Sequence, residues 1–429
     1  MQKGEYKPRI ADLALQEILS CTGAVLVEGP KWCGKTTTAA RLANSVLYMD
    51  EPGKRESNIE LARLAPERLL SGATPRLLDE WQLAPTLWDA VRFNVDRASE
   101  YGRYLLTGSS VPPRSTDFHH TGTGRIARVR MRPMSLWESG ESSGAVSLSA
   151  LFAGQSQFRA ADAKPLGLEG VAFALCRGGW PEAVGQPERF ALRHAFNYVD
   201  AVTEADISRF DGVTRDAERA RVLLRSYARL QGRQAKLGVI IEDLSSHEGF
   251  AIGENTIYSY LNALRGIFVI EDVTAWHPSL RRKATIRAAD TRYFTDPSIA
   301  TAALGLGPDA LMDDLSTFGL FFETQVIRDL RVYADALDGT IHHYLDRNGL
   351  ECDAVVRLRD GRYGLVEVKL GGETLIQDGC ATLKALAENI DTTKMRAPSF
   401  RMIVTAVGDY AYLRPEDGVI VCPLSALKP

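Results

Sequence analysis

Gly29-Pro30-Lys31-Trp32-Cys33-Gly34-Lys35-Thr36 is the stretch that decides how this chain folds. It matches G-x-x-x-x-G-K-[ST] at every fixed position. The apolar run Ala24-Val25-Leu26-Val27 precedes it, and a helical stretch from Thr37 to Leu42 follows. That is the strand, loop and helix context the motif requires. A glycine-containing bend aims successive backbone N–H groups inward at a phosphate, and the helix N-terminus adds its positive end. Gly29, Pro30, Lys31, Trp32, Cys33, Gly34, Lys35, Thr36 and Thr37 are therefore the expected triphosphate-binding residues. Lys35 is expected on the β- and γ-phosphates, and the Thr36 hydroxyl on Mg²⁺.

Short apolar runs recur outward from the loop: Val46-Leu47-Tyr48-Met49, Leu77-Leu78 and Tyr104-Leu105-Leu106. Each is continuous and bounded by Gly or acidic residues, as strands buried on both faces of a parallel sheet are. Helical segments separate them, which predicts an α/β fold, and Ile126 to Met131 supplies a fifth strand. A phosphate-loop site needs a second half, an acidic residue ending another buried strand. Arg76-Leu77-Leu78-Asp79-Glu80 provides it: Asp79 to hold Mg²⁺ through water, Glu80 to polarise the attacking water. The fourth strand ends in Thr107-Gly108-Ser109-Ser110, so Thr107 or Ser109 is expected between the loop and the acidic strand. Arg125 is a candidate to neutralise transition-state charge, in its own subunit or a neighbour's. Arg128 and Arg130 compete for that role.

Lys and Arg number 51 against 54 Asp and Glu, a net charge of −3, which excludes a histone-like basic protein. The six cysteines contain no C-x-x-C pair. A zinc ribbon or disulfide framework is thereby disfavoured, and a reducing, cytoplasmic compartment is expected. No apolar run approaches the ~18 residues of a membrane span, so no membrane partner is expected. Met1-Gln2-Lys3-Gly4-Glu5-Tyr6 is not a secretory leader. The adjacent pairs His119-His120 and His342-His343 lack zinc spacing. Residues 216–275 read helix, helix, turn, helix, strand. Ile257, Tyr260, Leu261 and Leu264 share one face of the third helix, and Ile267-Phe268-Val269-Ile270 forms the strand. This is a winged helix-turn-helix layout. The expected order is a P-loop parallel sheet over 1–138, a linker and helical segment over 139–212, the winged helix over 213–300 and a further α/β domain over 315–429.

Taken together, several motifs resemble the prokaryotic AAA-like ATPases that carry a C-terminal domain of unknown function. They are Gly29 to Thr37, Leu78-Asp79-Glu80, Leu105 to Ser110, Gly124-Arg125 with Pro133-Met134-Ser135, and Gly178-Gly179-Trp180-Pro181-Glu182. Asp206-Ile207, Tyr293-Phe294-Thr295-Asp296-Pro297 and Phe321-Phe322-Glu323 extend the likeness along the chain. The resemblance implies a P-loop core, a winged-helix segment, a restriction-endonuclease-like end, ATP binding and ATP hydrolysis. Trp32-Cys33 departs from the more usual polar or small residues, and the acidic strand is short.

In the last unit Asp353 stands at a strand start, and Glu367 and Lys369 alternate on one face of the next strand. That is the layout of a PD-(D/E)XK nuclease core. Its chemistry needs two carboxylates to hold Mg²⁺ against a phosphodiester and a lysine to orient hydroxide. Glu323 is a candidate third acidic ligand and Gln377 a support; a retained fold with surface charges is the competing reading. Arg221, Arg225, Arg229 and Arg233 recur every four residues along one side of a helix, and Arg215, Arg219 and Lys236 extend this basic ridge. Arg281-Arg282-Lys283 is expected near the wing. Such a ridge suits a phosphate backbone, with Asn255, Tyr258, Ser259 and Asn262 placed to reach base edges. DNA is the expected partner on that reading; a packing module is the alternative. Three functions remain open. One is an Mg²⁺-dependent ATPase whose nucleotide cycle controls the C-terminal half. Another is an ATP-gated, metal-dependent DNA nuclease of a defence or mobile-element system. The third is a non-enzymatic, ATP-switched DNA-binding regulator. A homo-oligomer is compatible with each.

Overall fold

The computed structural model describes residues 6–110, 122–155, 160–249, 252–281 and 285–429. The expectations for Met1 to Glu5, for His119-His120 and for Arg282-Lys283 lie outside the described residues. The chain forms two compact units. The first comprises the residues up to Pro133 together with Glu204–Arg215 and Asn262–Val269; the second comprises Met134–Thr203, Asp216–Leu261 and Ile270–Pro429. The stretch 139–212, read from sequence as one linking segment, is divided between them.

In the first unit, β1 (Ala24–Glu28), β2 (Ser45–Tyr48), β3 (Arg76–Asp79), β4 (Tyr104–Gly108) and β5 (Ile126–Arg130) form a parallel sheet in the order β2-β3-β4-β1-β5. Successive side chains leave the sheet on opposite faces. Leu26, Leu78 and Leu106 pack with Trp88 and Val91 from the helix Thr86–Arg97. Val25, Leu77 and Leu105 pack with Leu15 and Leu19 from Ile10–Leu19, and with Ala39 from Lys35–Leu42. Helical cover on both faces is why these strands read as unbroken apolar runs. Register then sets the site. Asp79, the last residue of β3, pairs with Thr107 on β4, and Thr107 pairs with Val27 on β1. The polar residues therefore line up at the carboxyl ends of the strands, where α/β sheets bind their ligands.

The helix Glu254–Gly266 runs into Ile267-Phe268-Val269-Ile270, the stretch expected as a strand. Most of that stretch is instead a turn. Phe268 has φ +60, the Val269 N–H donates to the Leu264 carbonyl at 2.9 Å, and only Ile270 forms a bridge, to Phe294. The backbone is still closing its last helical turn where extended chain was predicted.

The second unit contains β6 (Val146–Ser147), β7 (Ala161–Asp162), β8 (Gly339–Leu345), β9 (Glu351–Leu358), β10 (Tyr363–Lys369), β11 (Phe400–Thr405), β12 (Tyr410–Leu413), β13 (Ile420–Pro423) and β14 (Leu427–Lys428). Seven of them form one sheet in the order β7-β12-β13-β11-β10-β9-β8, while β6 pairs with β14. The strand β9 is antiparallel to both of its neighbours, β8 and β10, and β11 runs parallel to β10 after the helix Glu373–Asn389. The helix Leu315–Asp335 precedes β8. Among the described residues no helix is long and apolar enough to cross a membrane.

One buried cation ties this unit together. Arg328 donates to Asp296 at 2.7 Å and to Asp329 at 2.8 Å, with side-chain exposures of 1%, 0% and 0% for the three groups. Backbone and side-chain donors fill the remaining acceptor capacity, Ser298 Oγ on Asp296 at 2.6 Å and Gln325 Nε2 on Asp329 at 3.1 Å. The Gly179 N–H reaches Asp296 and the Leu136 N–H reaches Asp329, both at 2.9 Å. The Met134 N–H closes the network on the Gly179 carbonyl at 2.6 Å. A Cβ on Gly179 would lie 2.2 Å from the Met134 carbonyl oxygen and 2.9 Å from Arg328 Nη1, so only glycine admits this approach. Arg328→Ala would leave two carboxylates buried without their cation, an expected loss of about 3–5 kcal/mol in urea unfolding. Arg328→Lys should recover little, because one ammonium cannot reproduce a planar, multi-sided donor. An unfolding midpoint equal to wild type in Arg328→Ala would show that the network carries no stability.

Candidate functional site

β1 feeds the chain into the loop Gly29 to Gly34, and the helix Lys35–Leu42 takes it away. Gly29 has φ +153, and a Cβ there would lie 2.0 Å from the Met131 carbonyl oxygen. The loop is thus pressed against the backbone that follows β5, and a side chain at that position has no room. Lys35 is buried, and its Nζ donates to the Pro30 carbonyl at 2.7 Å. The ammonium curls over its own loop and meets a neutral acceptor that a phosphate oxygen can replace. Trp32 is exposed, with φ +66, and Thr37 is exposed on the first helical turn. The Cys33 thiol is buried and donates to the Met131 carbonyl at 3.4 Å, so Cys33 faces the site through its backbone.

Two loop contacts were not expected from sequence. Arg9 donates to the Cys33 carbonyl at 2.6 Å and to the Arg132 carbonyl at 2.7 Å, which holds the loop backbone from a residue outside the motif. Lys31 pairs with Asp206 at 2.6 Å. An isolated arginine near the N-terminus carries no sequence signal, whereas the Asp206-Ile207 motif did.

The acidic half converges as the register requires. Thr36 Oγ1 and Thr107 Oγ1 both donate to Asp79 Oδ1, at 2.7 and 2.5 Å. A threonine hydroxyl beside a carboxylate is a hard-oxygen donor set of the kind Mg²⁺ takes, so these residues fit the metal of a nucleotide complex. Glu80 follows with φ +54, a left-handed backbone that is uncommon for a residue with a side chain. Its carboxylate accepts from Gln82 Nε2 and from Ser109 Oγ, the latter at 3.2 Å. Burial pushes the Glu80 pKa above the usual carboxylate value; the Lys35 charge opposes this, and the Asp79 charge adds to it. Gln82 is a partner that sequence reading missed, although it lies two residues away.

Arg125 is placed differently from expectation. Its backbone carbonyl accepts from the Ala24 N–H at 3.2 Å, at the start of β1, whereas the loop leaves β1 from Glu28. Because β5 runs parallel to β1, Arg125 lies at the far end of the sheet, four strand residues or roughly 13 Å away. Its guanidinium is held by Asp96. Arg125 therefore does not reach the loop of its own chain. Arg130 and Arg128 stand level with the loop, and both donate to Glu28, at 3.0 and 3.4 Å.

In the second unit Asp353, Glu367 and Lys369 do come together. Lys369 Nζ lies 2.8 Å from Glu367 and 3.9 Å from Asp353, and Asp353 accepts from the Val368 N–H at 2.7 Å. Glu323 accepts from the Tyr293 hydroxyl, and burial plus the Asp353 charge push its pKa well up. Burial, then Asp353, drive Glu367 up to about 8, against the pull of Lys369. Burial works to lower the Lys369 pKa, but Asp353 and Glu367 outweigh it and the net direction is upward. Glu351, unassigned from sequence, is raised by burial and by the Asp353 charge. Glu367 Oε1 is buried with no hydrogen-bond partner. Gln377, expected to support this cluster, donates instead to Glu373 at 2.9 Å. Among the described residues no three His, Cys, Asp or Glu groups stand as a metal-holding set.

The basic ridge is largely compensated. Arg225 pairs with Glu248 at 2.8 Å, and Arg229 pairs with Asp243 at 2.7 Å and Glu248 at 3.0 Å. Arg221 lies 3.7 Å from Asp200. Arg215 is bound to Asp211 at 2.7 Å with a 2% exposed side chain. The four-residue spacing was legible, but the acidic partners from other elements were not.

Three family models match parts of this chain. Residues 22–139 match a family described as an AAA domain, residues 168–310 a domain of unknown function (DUF8612) and residues 318–427 another (DUF4143). The chain is 23% identical over 364 residues to an uncharacterized protein of Mycobacterium bovis, and equally to one of Mycobacterium tuberculosis. Each alignment covers 84% of this chain and 73% of the relative. A Walker-type ATPase of Pyrococcus abyssi superposes with a TM-score of 0.40 at 16% identity, over 68% of this chain and 94% of that one. The loop, the parallel sheet and the match of residues 22–139 to an AAA domain together support a P-loop ATP-binding fold for this stretch of the chain.

Proposed function

We propose that this protein is an Mg²⁺-dependent ATPase whose nucleotide cycle controls its C-terminal half. The observation that carries the reading is the shared Asp79 carboxylate, which gathers the loop hydroxyl of Thr36 and the strand-end hydroxyl of Thr107 beside Glu80. In this mechanism the loop N–H groups and Lys35 grip the phosphates, and Thr36 and Asp79 hold the metal. Bound Mg²⁺ supplies neutralisation of the charge on the phosphate oxygens. Glu80, steered by Gln82 and Ser109, accepts the proton of the attacking water. A carboxylate raised by burial is a stronger base near neutral pH than an ordinary one.

A second reading is supported by one buried atom. Glu367 Oε1 has no partner in a cluster that also contains Asp353 and Lys369, and buried polar atoms left unpaired call for a ligand. The order of helix Leu315–Asp335, antiparallel β8-β9-β10, helix Glu373–Asn389 and parallel β11 agrees with a nuclease-like domain. On this reading Asp353 and Glu367 would hold a divalent metal, Glu323 would have to be drawn in as a third ligand since the three do not stand as a metal-holding set, and Lys369 would orient the attacking oxygen for phosphodiester cleavage. A winged helix over 213–300 would present the strand; the three helices Ala217–Arg229, Leu237–Glu248 and Glu254–Gly266 support it, while the stretch expected as its strand is a turn.

Lys35→Ala should abolish ATP binding in calorimetry. Glu80→Gln should bind ATP yet turn over ~10²–10⁴-fold more slowly; wild-type turnover in that variant would remove Glu80 from the mechanism. Glu80 works ionised and its pKa is raised, so the wild-type rate should fall on acidification at a pH above the ordinary carboxylate range. Incubated with Mn²⁺ or Mg²⁺ and ATP, the wild type should cut plasmid or oligonucleotide DNA, and Asp353→Asn should not. Absence of cutting in every nucleotide state would reduce the second unit to a scaffold.

A further inference from the structure

Arg9 lies outside every motif that supports the phosphate-loop reading, yet it is buried. Its two terminal nitrogens serve different stretches of chain. Nη1 donates to the Cys33 carbonyl at 2.6 Å, and Nη2 donates to the Arg132 carbonyl at 2.7 Å. One acceptor belongs to the loop and the other to the chain that leaves β5. The same two stretches meet again where the Cys33 thiol donates to the Met131 carbonyl at 3.4 Å, and where a Cβ on Gly29 would strike that carbonyl. A planar fork binds two acceptors at a fixed separation, which a single ammonium does not. Arg9 therefore fixes the loop against the end of β5.

Arg9 is itself held. Its backbone N–H donates to Asp12 Oδ2 at 2.9 Å, and the Tyr6 hydroxyl donates to Asp12 Oδ1 at 2.6 Å. The Tyr6 hydroxyl also lies 3.0 Å from Thr38 Oγ1, on the helix that leaves the loop, and Arg41 of that helix lies over the Tyr6 ring at 4.2 Å. The stretch 6–12 thus grips both the loop and the helix Lys35–Leu42, all within the first unit. Burying a guanidinium carries a desolvation cost that packing alone does not repay. What an arginine adds at this position is a fixed direction for two carbonyls.

In a planar trans peptide the carbonyl of one residue and the N–H of the next point opposite ways. The Cys33 carbonyl is turned to Arg9, so the Gly34 N–H points away from Arg9. Gly34, with φ +98, is the residue that opens the helix Lys35–Leu42. We infer that Arg9 is a positioning residue for nucleotide binding: by fixing the Cys33 carbonyl it keeps the Gly34 N–H aimed at the β-phosphate. Arg9 acts through this peptide and touches no nucleotide atom. The role rests on the ATP-binding reading of the loop. ADP and ATP both carry a β-phosphate, and the contact is the same before and during hydrolysis. Its loss therefore weakens binding and leaves the chemical step alone. That is the reverse of the effect expected of Glu80.

The test uses the full-length protein, with ATP turnover measured in the steady state and ADP titrated by calorimetry. In Arg9→Gln the KM for ATP and the Kd for ADP should both rise about tenfold, the low end for a hydrogen bond to a charged group. At saturating ATP, kcat should stay within about twofold of wild type. Arg9→Lys, whose ammonium reaches one carbonyl at a time, should return part of the affinity. KM does not depend on how much of the protein is folded. A lower kcat at unchanged KM would therefore mark a merely structural arginine and overturn the proposal. So would wild-type KM and Kd in Arg9→Gln, or in Arg9→Lys where Arg9→Gln yields no folded protein. The ADP titration needs no turnover, so it decides the role of Arg9 even in a protein that does not hydrolyse ATP. A wild type that binds neither nucleotide would remove the phosphate-loop reading itself, and the role of Arg9 with it.

Discussion

The buried guanidinium of Arg328 is the constraint on which the second unit depends. It spans Asp296 and Asp329 in the interior, and backbone N–H groups from Gly179 and Leu136 complete the shell. A charge removed from water is tolerable only when it is paired and its partners are themselves satisfied. That requirement explains motifs that carried the family resemblance in sequence. Gly178-Gly179-Trp180 and Asp296-Pro297 serve this network: Trp180 donates to Ser298 at 3.0 Å, and Ser298 donates to Asp296 at 2.6 Å. Their motif character reflects packing around one cation rather than chemistry on a substrate.

The first unit handles its charges in the opposite manner. Lys35 is equally removed from solvent, yet it meets a single neutral carbonyl. Its charge is therefore held in place without being neutralised, which is what a phosphate requires of its receptor. Glu80 is half-buried with no cation bound to its carboxylate, and its basicity rises with its pKa. The cluster around Glu367 has the same unsettled quality, with carboxylates crowded about one lysine and an oxygen left without a donor. Incomplete compensation separates candidate chemistry from structural ion pairing in this chain.

Much of the first site was legible because its parts are local. A phosphate loop is a continuous stretch, its flanking strand and helix are contiguous with it, and Asp79, Glu80, Thr107 and Ser109 are each the end of an apolar run. In the second unit the strand alternation around Glu367 and Lys369 was readable for the same reason. Arg9 was missed because nothing in its neighbourhood marks it, and it matters through the Cys33 carbonyl of the loop; Gln82 and Glu351 lie two residues from Glu80 and Asp353, but only the folded backbone shows that they reach them. The ridge failed for a related reason. Spacing placed Arg225 and Arg229 on one helical face, but Asp243 and Glu248 arrive from a different helix.

The sequence by itself determined the loop chemistry, the both-faces burial of the parallel strands and the residue types at their ends, since these follow from short-range pattern and the period of a strand. Only the tertiary structure decided which of those residues meet. Parallel pairing carried Arg125 to the end of the sheet opposite the loop while setting Thr107 beside Asp79. It also decided which charges are compensated, because a partner's distance in space bears no relation to its distance along the chain.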